Sequence, residues 1–289
     1  MIVAGIFTAL VFAFGNLRYQ VPEMAATHEK EETVVVNKSL SNEDVDLNRF
    51  VVDISAWQRP EDIDYNLMSQ EVIGAVVRVQ TGKSSKDNAA AYKNGEDRQF
   101  KTHMSELQKR GVPVAVYAYV NGKNVEEMKE QARLFYERAH PFKPTYYWLD
   151  IEEVTMDNMS EGVEAFREEL KSLGAKNIGI YAQDWFLTDH KIDSSHFSSI
   201  WMADYGRNTG MWDTSPKTDL NYDMHQFTDR GQLSSYGGHL DLNMIRTQEQ
   251  YDKLLEIPKL IKGNSSRRKS IFFMLFLRQE EIKNERAIR

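Results

Sequence analysis

The sequence predicts an α/β fold: an irregular TIM-like (β/α) barrel of eight strands with about five helices. Three observations lead there. Eight short apolar runs are spread between residues 50 and 243. Most are continuously apolar rather than alternating, as strands are in a parallel sheet covered on both faces. Between the early runs lie segments of helical periodicity, so strand and helix take turns along the chain.

The runs occupy 50–55, 73–79, 112–119, 145–151, 177–182, 199–205, 223–227 and 239–243. They are rich in Val, Ile, Tyr and Trp, which suit a pleated, buried surface. Residues 99–110 carry Phe100, His103, Met104 and Leu107 at helical spacing and end at Gly111, a residue suited to a left-handed C-cap. Residues 125–139 carry Met128, Ala132, Phe135 and Tyr136 on one face. Residues 159–173 carry Val163, Phe166 and Leu170, followed by Gly174. Residues 248–261 read as a closing helix. The last three strands leave little room for helices between them, so the barrel is expected to be irregular.

With 289 residues, 41% of them hydrophobic, the chain can bury one large core and still carry tails. Its net charge of −7 argues against a general nucleic-acid binder. There is no cysteine, hence no disulfide, thiol nucleophile or thiolate metal site. The seven histidines show no H-x-x-x-H or HExxH spacing, so neither metal nor cofactor is expected. Four segments follow: an apolar signal or anchor at 1–20, an acidic flexible linker at 21–48, the barrel at 49–262, and a basic and apolar tail at 263–289. Met1 to Phe14 is almost wholly apolar, which suits membrane association through residues 1–14 as an uncleaved anchor or as the core of a signal peptide. In the tail, Arg267-Arg268-Lys269 precedes seven apolar residues, too few to span a bilayer as a helix, which takes about 20.

The chemistry gathers at strand ends. Residues 145–151 end in Asp150-Ile151-Glu152. Alternation along a strand points Asp150 and Glu152 the same way, with Cα atoms about 6–7 Å apart. Two carboxyls so close, beside an apolar strand, do not share one pKa; burial and repulsion raise one of them. In a βα barrel the active site lies at the C-terminal ends of the strands. Asp53 and Asp241 fall near that end of two other runs, and Arg78, Tyr119, Tyr181, Trp201, Tyr205 and Gln226 join them. Acids ringed by aromatics suit carbohydrate, whose C–H faces stack on rings and whose hydroxyls bond to carboxylates. Two neighbouring carboxyls are also the minimum for breaking a glycosidic bond. For Arg78 a buried ion pair is the plainer reading, and for each aromatic a place in the core.

From Val51 to about Ile245 the chain resembles the glycoside hydrolase family 25 lysozymes, the muramidases of bacteria and phages. The resemblance rests on Val-Val-Asp-Ile-Ser-Ala-Trp-Gln at 51–58, Gly-Val-Pro-Val-Ala-Val-Tyr-Ala-Tyr at 111–119 and Trp-Leu-Asp-Ile-Glu-Glu at 148–153. It rests also on Ile-Gly-Ile-Tyr at 178–181, Ile-Trp-Met-Ala-Asp-Tyr at 200–205 and His-Leu-Asp-Leu-Asn at 239–243. It implies cleavage of the β-1,4 bond between N-acetylmuramic acid and N-acetylglucosamine in peptidoglycan, a metal-free barrel of eight strands and about five helices, and an extracytoplasmic place of work. It matches Glu152 to the family's proton donor, Asp150 to its partner acid, and Asp53 and Asp241 to the acids of the first and last strands. The partner acid would activate water or orient the substrate's N-acetyl group. The chain departs from the family at Asp223-Met224-His225-Gln226-Phe227, where a Trp often precedes Gln-Tyr, and at Arg78-Val79-Gln80-Thr81-Gly82, where Arg-Ala-Gly is usual. Peptidoglycan strands are the expected partner of a monomeric protein, and nucleic acid is not. Two rivals remain. A chitinase would need a longer D-x-x-D-x-D-x-E strand, but Trp148 and Leu149 are apolar. A non-catalytic glycan-binding barrel would bind peptidoglycan without making new reducing ends.

Overall fold

Eight strands close into one barrel in chain order. The structure, a computed structural model, describes residues 44–84 and 88–256. The strands are β1 (Phe50–Ile54), β2 (Val72–Thr81), β3 (Val114–Tyr119), β4 (Tyr147–Asp150), β5 (Ile178–Gln183), β6 (Ser199–Ala203), β7 (Met224–Leu233) and β8 (Tyr236–Met244). Every apolar run singled out in the sequence forms one of them. Strands β1 to β7 run parallel, and β8 runs antiparallel to both its neighbours, β7 and β1. The reversal follows from the two-residue connection Ser234-Ser235, which admits only a hairpin.

The described helices are α1 (Tyr65–Glu71), α2 (Phe100–Gln108), α3 (Val125–Ala139), α4 (Met159–Ser172), α5 (Asp184–Asp189) and α6 (Gln248–Leu255). Helices α2, α3, α4 and α6 stand where periodicity places them; α1 and α5 are short additions. Their ends are set by local chemistry. Asn124 and Asn158 accept the backbone N–H groups of Glu127 and Glu161 at 2.9 and 3.2 Å. Thr247 and Gln250 form a capping box on α6. Gly111 and Gly174 take left-handed φ of +76° and +106° just past α2 and α4, as their positions predict. No helix among the described residues is long and apolar enough to cross a membrane. The predicted anchor at 1–20, most of the linker at 21–48 and the tail at 263–289 lie outside the described residues. The stretch 44–48 departs from the linker expectation, because Val45 and Leu47 pack on the barrel core and Val45 N–H donates to Gln248 at 2.9 Å.

Alternation sorts each strand's side chains into two cores. Val52 and Ile54 of β1, Val114 and Val116 of β3, Tyr147 and Leu149 of β4 and Ile178 and Ile180 of β5 face the helices. Val51, Ala115, Tyr146, Trp148, Tyr181, Trp201 and Met224 fill the barrel, closed from below by Leu254 and Leu255 of α6. The interior is thus packed with rings. Room for the largest comes from Gly179, which sits opposite Trp148 in the register; a Cβ there would overlap the Trp148 ring.

Candidate active site

The inward set of β4 runs Tyr146, Trp148, Asp150 toward the C-terminal mouth. Tyr146 and Trp148 stack with ring centroids 4.7 Å apart. Trp148 meets Trp201 edge-on at 5.7 Å, and Trp201 meets Tyr181 at 4.6 Å. These rings make an apolar floor under Asp150, which is only 5% exposed. Glu152 follows two residues on, past the strand end, and is exposed. Across the mouth, the antiparallel register sets Asp53 of β1 directly beside Asp241 of β8. Asp53 is buried and Asp241 half-buried.

These four acids act on one another. Burial raises the pKa of Asp53 well above the usual carboxylate range, and repulsion from Asp241 adds to it. Burial raises Asp150 likewise, followed by the charge of Glu152, a hydrogen bond to Glu152 and the charge of Asp53. Burial is again the main cause that pushes Asp241 up to about 6, with Asp229 and Glu152 adding repulsion against the pull of a hydrogen bond from Asp53. Acids separated by up to 188 positions in the chain therefore meet in one electrostatic cluster, the arrangement expected of acid–base chemistry. One oxygen of Asp150, Oδ1, is buried without a hydrogen-bond partner among the described residues. Among these residues no group of three or more His, Asp or Glu is arranged to hold a metal ion.

A hydrogen-bonded frame holds Asp53. Its Oδ2 accepts from Asn243 Nδ2 at 2.7 Å and Gln226 Nε2 at 3.0 Å. Gln226 Oε1 accepts the hydroxyls of Tyr181 and Tyr205, each at 2.7 Å. Asn243 Oδ1 accepts Trp201 Nε1–H at 2.7 Å. Of the residues expected to touch substrate, Trp201 and Gln226 are 1% and 3% exposed, with polar atoms hydrogen-bonded within the frame. Tyr181 is buried in the same frame, while Tyr205 is half-buried at its outer edge. Tyr119 stands beside Asp150 in the register, half-buried; burial and then the charges of Glu153, Asp150 and Glu152 raise its phenol pKa. Arg78 takes the ion-pair reading: its Nε donates to Asp97 at 3.0 Å, and its charge offsets part of the rise at Asp150.

Sequence reasoning missed several contributors. Asn243, and Tyr117, which meets Trp201 edge-on at 6.2 Å, lie two residues from Asp241 and Tyr119, so alternation alone points them inward with those residues. Asp97 lies in a loop and has no such signal. The exposed large apolar side chains among the described residues are Trp57, Tyr92, Val154, Leu173, Trp185, Met211 and Trp212. All except Leu173 sit in the segments that leave the C-terminal ends of strands, on the face that holds the acids. Exposed rings concentrated around one polar mouth mark a binding surface.

The profile of Glycosyl hydrolases family 25 matches residues 52–236. A solved structure of GHIP, described as a glycosyl hydrolase 25 of Streptococcus pneumoniae, is 50% identical, with a TM-score of 0.71 over 72% of this chain and 93% of that one. The catalytic domain of endolysin ply40 from bacteriophage P40 of Listeria monocytogenes is 24% identical, with a TM-score of 0.63 over 74% of this chain and 98% of that one. A bacterial lysozyme from Streptomyces coelicolor is 17% identical, with a TM-score of 0.55 over 71% and 96% of the two chains. A comparison with curated proteins gives no match. The chain belongs to family 25 of the glycosyl hydrolases and is a glycoside hydrolase of the lysozyme type.

Proposed function

We propose that Glu152 and Asp150 carry out the reaction of this peptidoglycan hydrolase, the cleavage of the β-1,4 bond between N-acetylmuramic acid and N-acetylglucosamine. The observation that carries the assignment is an exposed carboxyl paired with a buried one at the mouth of the barrel. Glu152 is open to solvent, where a polymer can reach it, and Asp150 beneath it holds a proton that its own burial stabilises. As the bond breaks, Glu152 gives a proton to the departing glycosidic oxygen. Asp150, hydrogen-bonded to Glu152 and buried, is poorly placed to activate water from bulk. Its unpartnered Oδ1 instead suits the N–H of the muramic N-acetyl group, which would turn that group's carbonyl oxygen toward the anomeric carbon. The carbonyl oxygen then bonds to that carbon while the C–O bond to the leaving sugar breaks. Water then bonds to the anomeric carbon and opens the cyclic intermediate while giving one proton to the Glu152 carboxylate, and configuration is retained.

Asp241, pushed up only to about 6, ionises near neutral pH and supports positive charge that develops at the sugar ring, while the frame of Asn243, Gln226, Tyr181 and Tyr205 holds Asp53 beside it. The substrate lies outside the cytoplasm, so the enzyme works there, and the apolar run at 1–14 would hold it at the membrane. All four acids come from one chain, which suits a monomer.

Purified peptidoglycan digested by the wild type should gain muramic acid at its new reducing ends by mass spectrometry; glucosamine there would overturn the bond assignment. Glu152→Gln, folded as judged by circular dichroism, should lose at least about a hundredfold in rate, the scale of a missing general acid. Undiminished clearing of cell walls by that variant would refute the role of Glu152.

A further inference from the structure

We propose that the cleft between the ends of β5 and β6 binds the peptide stem that peptidoglycan carries on its muramic acid residues, so that the enzyme reads peptide as well as sugar. The inference rests on the muramidase reading above and adds a second recognition element to it.

The cleft has a volume of about 410 Å³, within the range of small-ligand sites, and its walls include Gln183, Trp185, Asp204, Tyr205 and Lys217. Its position links it to the acids. The hydroxyl of Tyr205 donates to Gln226, which holds Asp53, so one wall of the cleft is the outer edge of the frame around the acids. A group seated there lies beside the reacting sugar.

Its charges identify the occupant. Lys217 is exposed and makes no ion pair or hydrogen bond among the described residues. Asp184 and Asp204 line the same cleft with the opposite sign. Each uses one oxygen on a neighbour, Asp184 on the Thr218 hydroxyl at 2.5 Å and Asp204 on the Gly206 amide at 3.0 Å. An uncharged N-acetyl sugar can hydrogen-bond to these groups but offers neither of them an opposite charge. A peptide stem has both, with a carboxylate at its free end for Lys217 and the amine of its diamino acid for the two aspartates. Trp185 supplies the apolar part. It is 51% exposed, and its indole N–H donates to Gln183, which holds the ring at the wall against the methyl groups of an alanyl stem.

The test compares two substrates: glycan strands with stems attached, and the same strands after an amidase has cut the bond between lactyl group and peptide. Reducing ends are counted for the wild type, Lys217→Ala, Lys217→Glu and Trp185→Ala. On stem-bearing strands, Lys217→Ala should lose about threefold in kcat/KM, as an exposed charge pair does, and Lys217→Glu about tenfold through added repulsion. On stripped strands, which keep only the lactyl carboxylate, both should lose clearly less. Trp185→Ala should likewise lose more on stem-bearing strands than on stripped ones. Equal losses on both substrates would show that the cleft reads sugar, and no loss on either would show that it is not used; both overturn the proposal. Cleavage of stripped strands by the wild type would in either event leave the muramidase reading standing. Lys217 is exposed, so its variants test the proposal even if Trp185→Ala does not fold.

Discussion

Asp97 shows how much one side chain can organise. Its Oδ2 accepts the Ala56 N–H and Arg78 Nε–H, both at 3.0 Å, and its Oδ1 accepts the Gln99 N–H at 2.9 Å. One carboxyl thus ties the turn after Asp53 to β2 and to the start of α2. It is 1% exposed; burial raises its pKa, while Arg78 and the two amides pull the other way. Removing half of such a pair leaves the other half desolvated, at a cost of about 3–5 kcal/mol. Arg78 keeps some contact with solvent, so Asp97→Ala should fall at the low end, about 3 kcal/mol. Urea unfolding measures it, and a loss below about 1 kcal/mol would mean that the pair contributes only what surface pairs do. Nothing near Asp97 in the sequence announces this role. It belongs to no apolar run, and two of its three partners lie 19 and 41 positions away. The acids of the site were legible because each ends or interrupts an apolar strand, where a carboxyl is conspicuous; Asp97 sits among polar neighbours.

At the level of elements, the lumen depends on matching a large ring to an absent side chain. Trp148 of β4 fills the space beside Gly179 of β5. The ring is fully buried and held by Tyr146 and Trp201, so it has nowhere to move. Gly179→Ala should therefore cost about 1–3 kcal/mol, the range for overpacking a filled core. Gly237→Ala, in β8 with open space around the added methyl, should change stability by less than about 0.5 kcal/mol. Urea midpoints of the two variants decide the matter, and equal effects would remove the packing argument. The strands were readable because their runs are apolar on both faces. The shorter helices were not. Helix α1 buries only Tyr65 and Met68, and α5 only Phe186 and Leu187, too few positions to establish a period. The direction of β8 was hidden for a related reason. The outer half of β7 carries exposed Asp229, Arg230 and Gln232 before the Ser234-Ser235 turn, so no apolar run marks where one strand turns into the next.

Over the whole molecule, the acids that serve the site oppose the fold. Asp53 and Asp150 have folded pKa values well above the unfolded carboxylate value, and Asp241 is pushed up to about 6. The folded state therefore holds protons that the unfolded chain, titrating near pH 4, gives up. Stability from these groups is fully present below about pH 4 and is lost as pH rises through each folded pKa. His103 works in the other direction. Its Nε2–H donates to the Ser55 carbonyl at 3.0 Å and its Nδ1 accepts the Tyr65 hydroxyl at 2.6 Å, and burial lowers its pKa to about 4. Its contribution is present above about pH 6.5 and lost as pH falls toward 4. Above about pH 6.5 the histidine has no more to give, while raised Asp53 and Asp150 must surrender their protons as pH climbs, so the thermal midpoint should fall as pH is raised from there. Asp150→Asn keeps the shape of the side chain and removes its charge. It should melt about 3 °C above the wild type at pH 8, roughly 1 kcal/mol for a domain of this size, and show a smaller difference at pH 5 while losing activity at both. A variant that melts no higher than the wild type at pH 8 would mean that Asp150 ionises without strain in the folded protein. The proton that Asp150 is proposed to hold for the reaction would then have no source in its burial. Catalytic poise and lowered stability have the same origin here, an ionisable group set on a floor of tryptophan and tyrosine rings, and a single substitution should separate them.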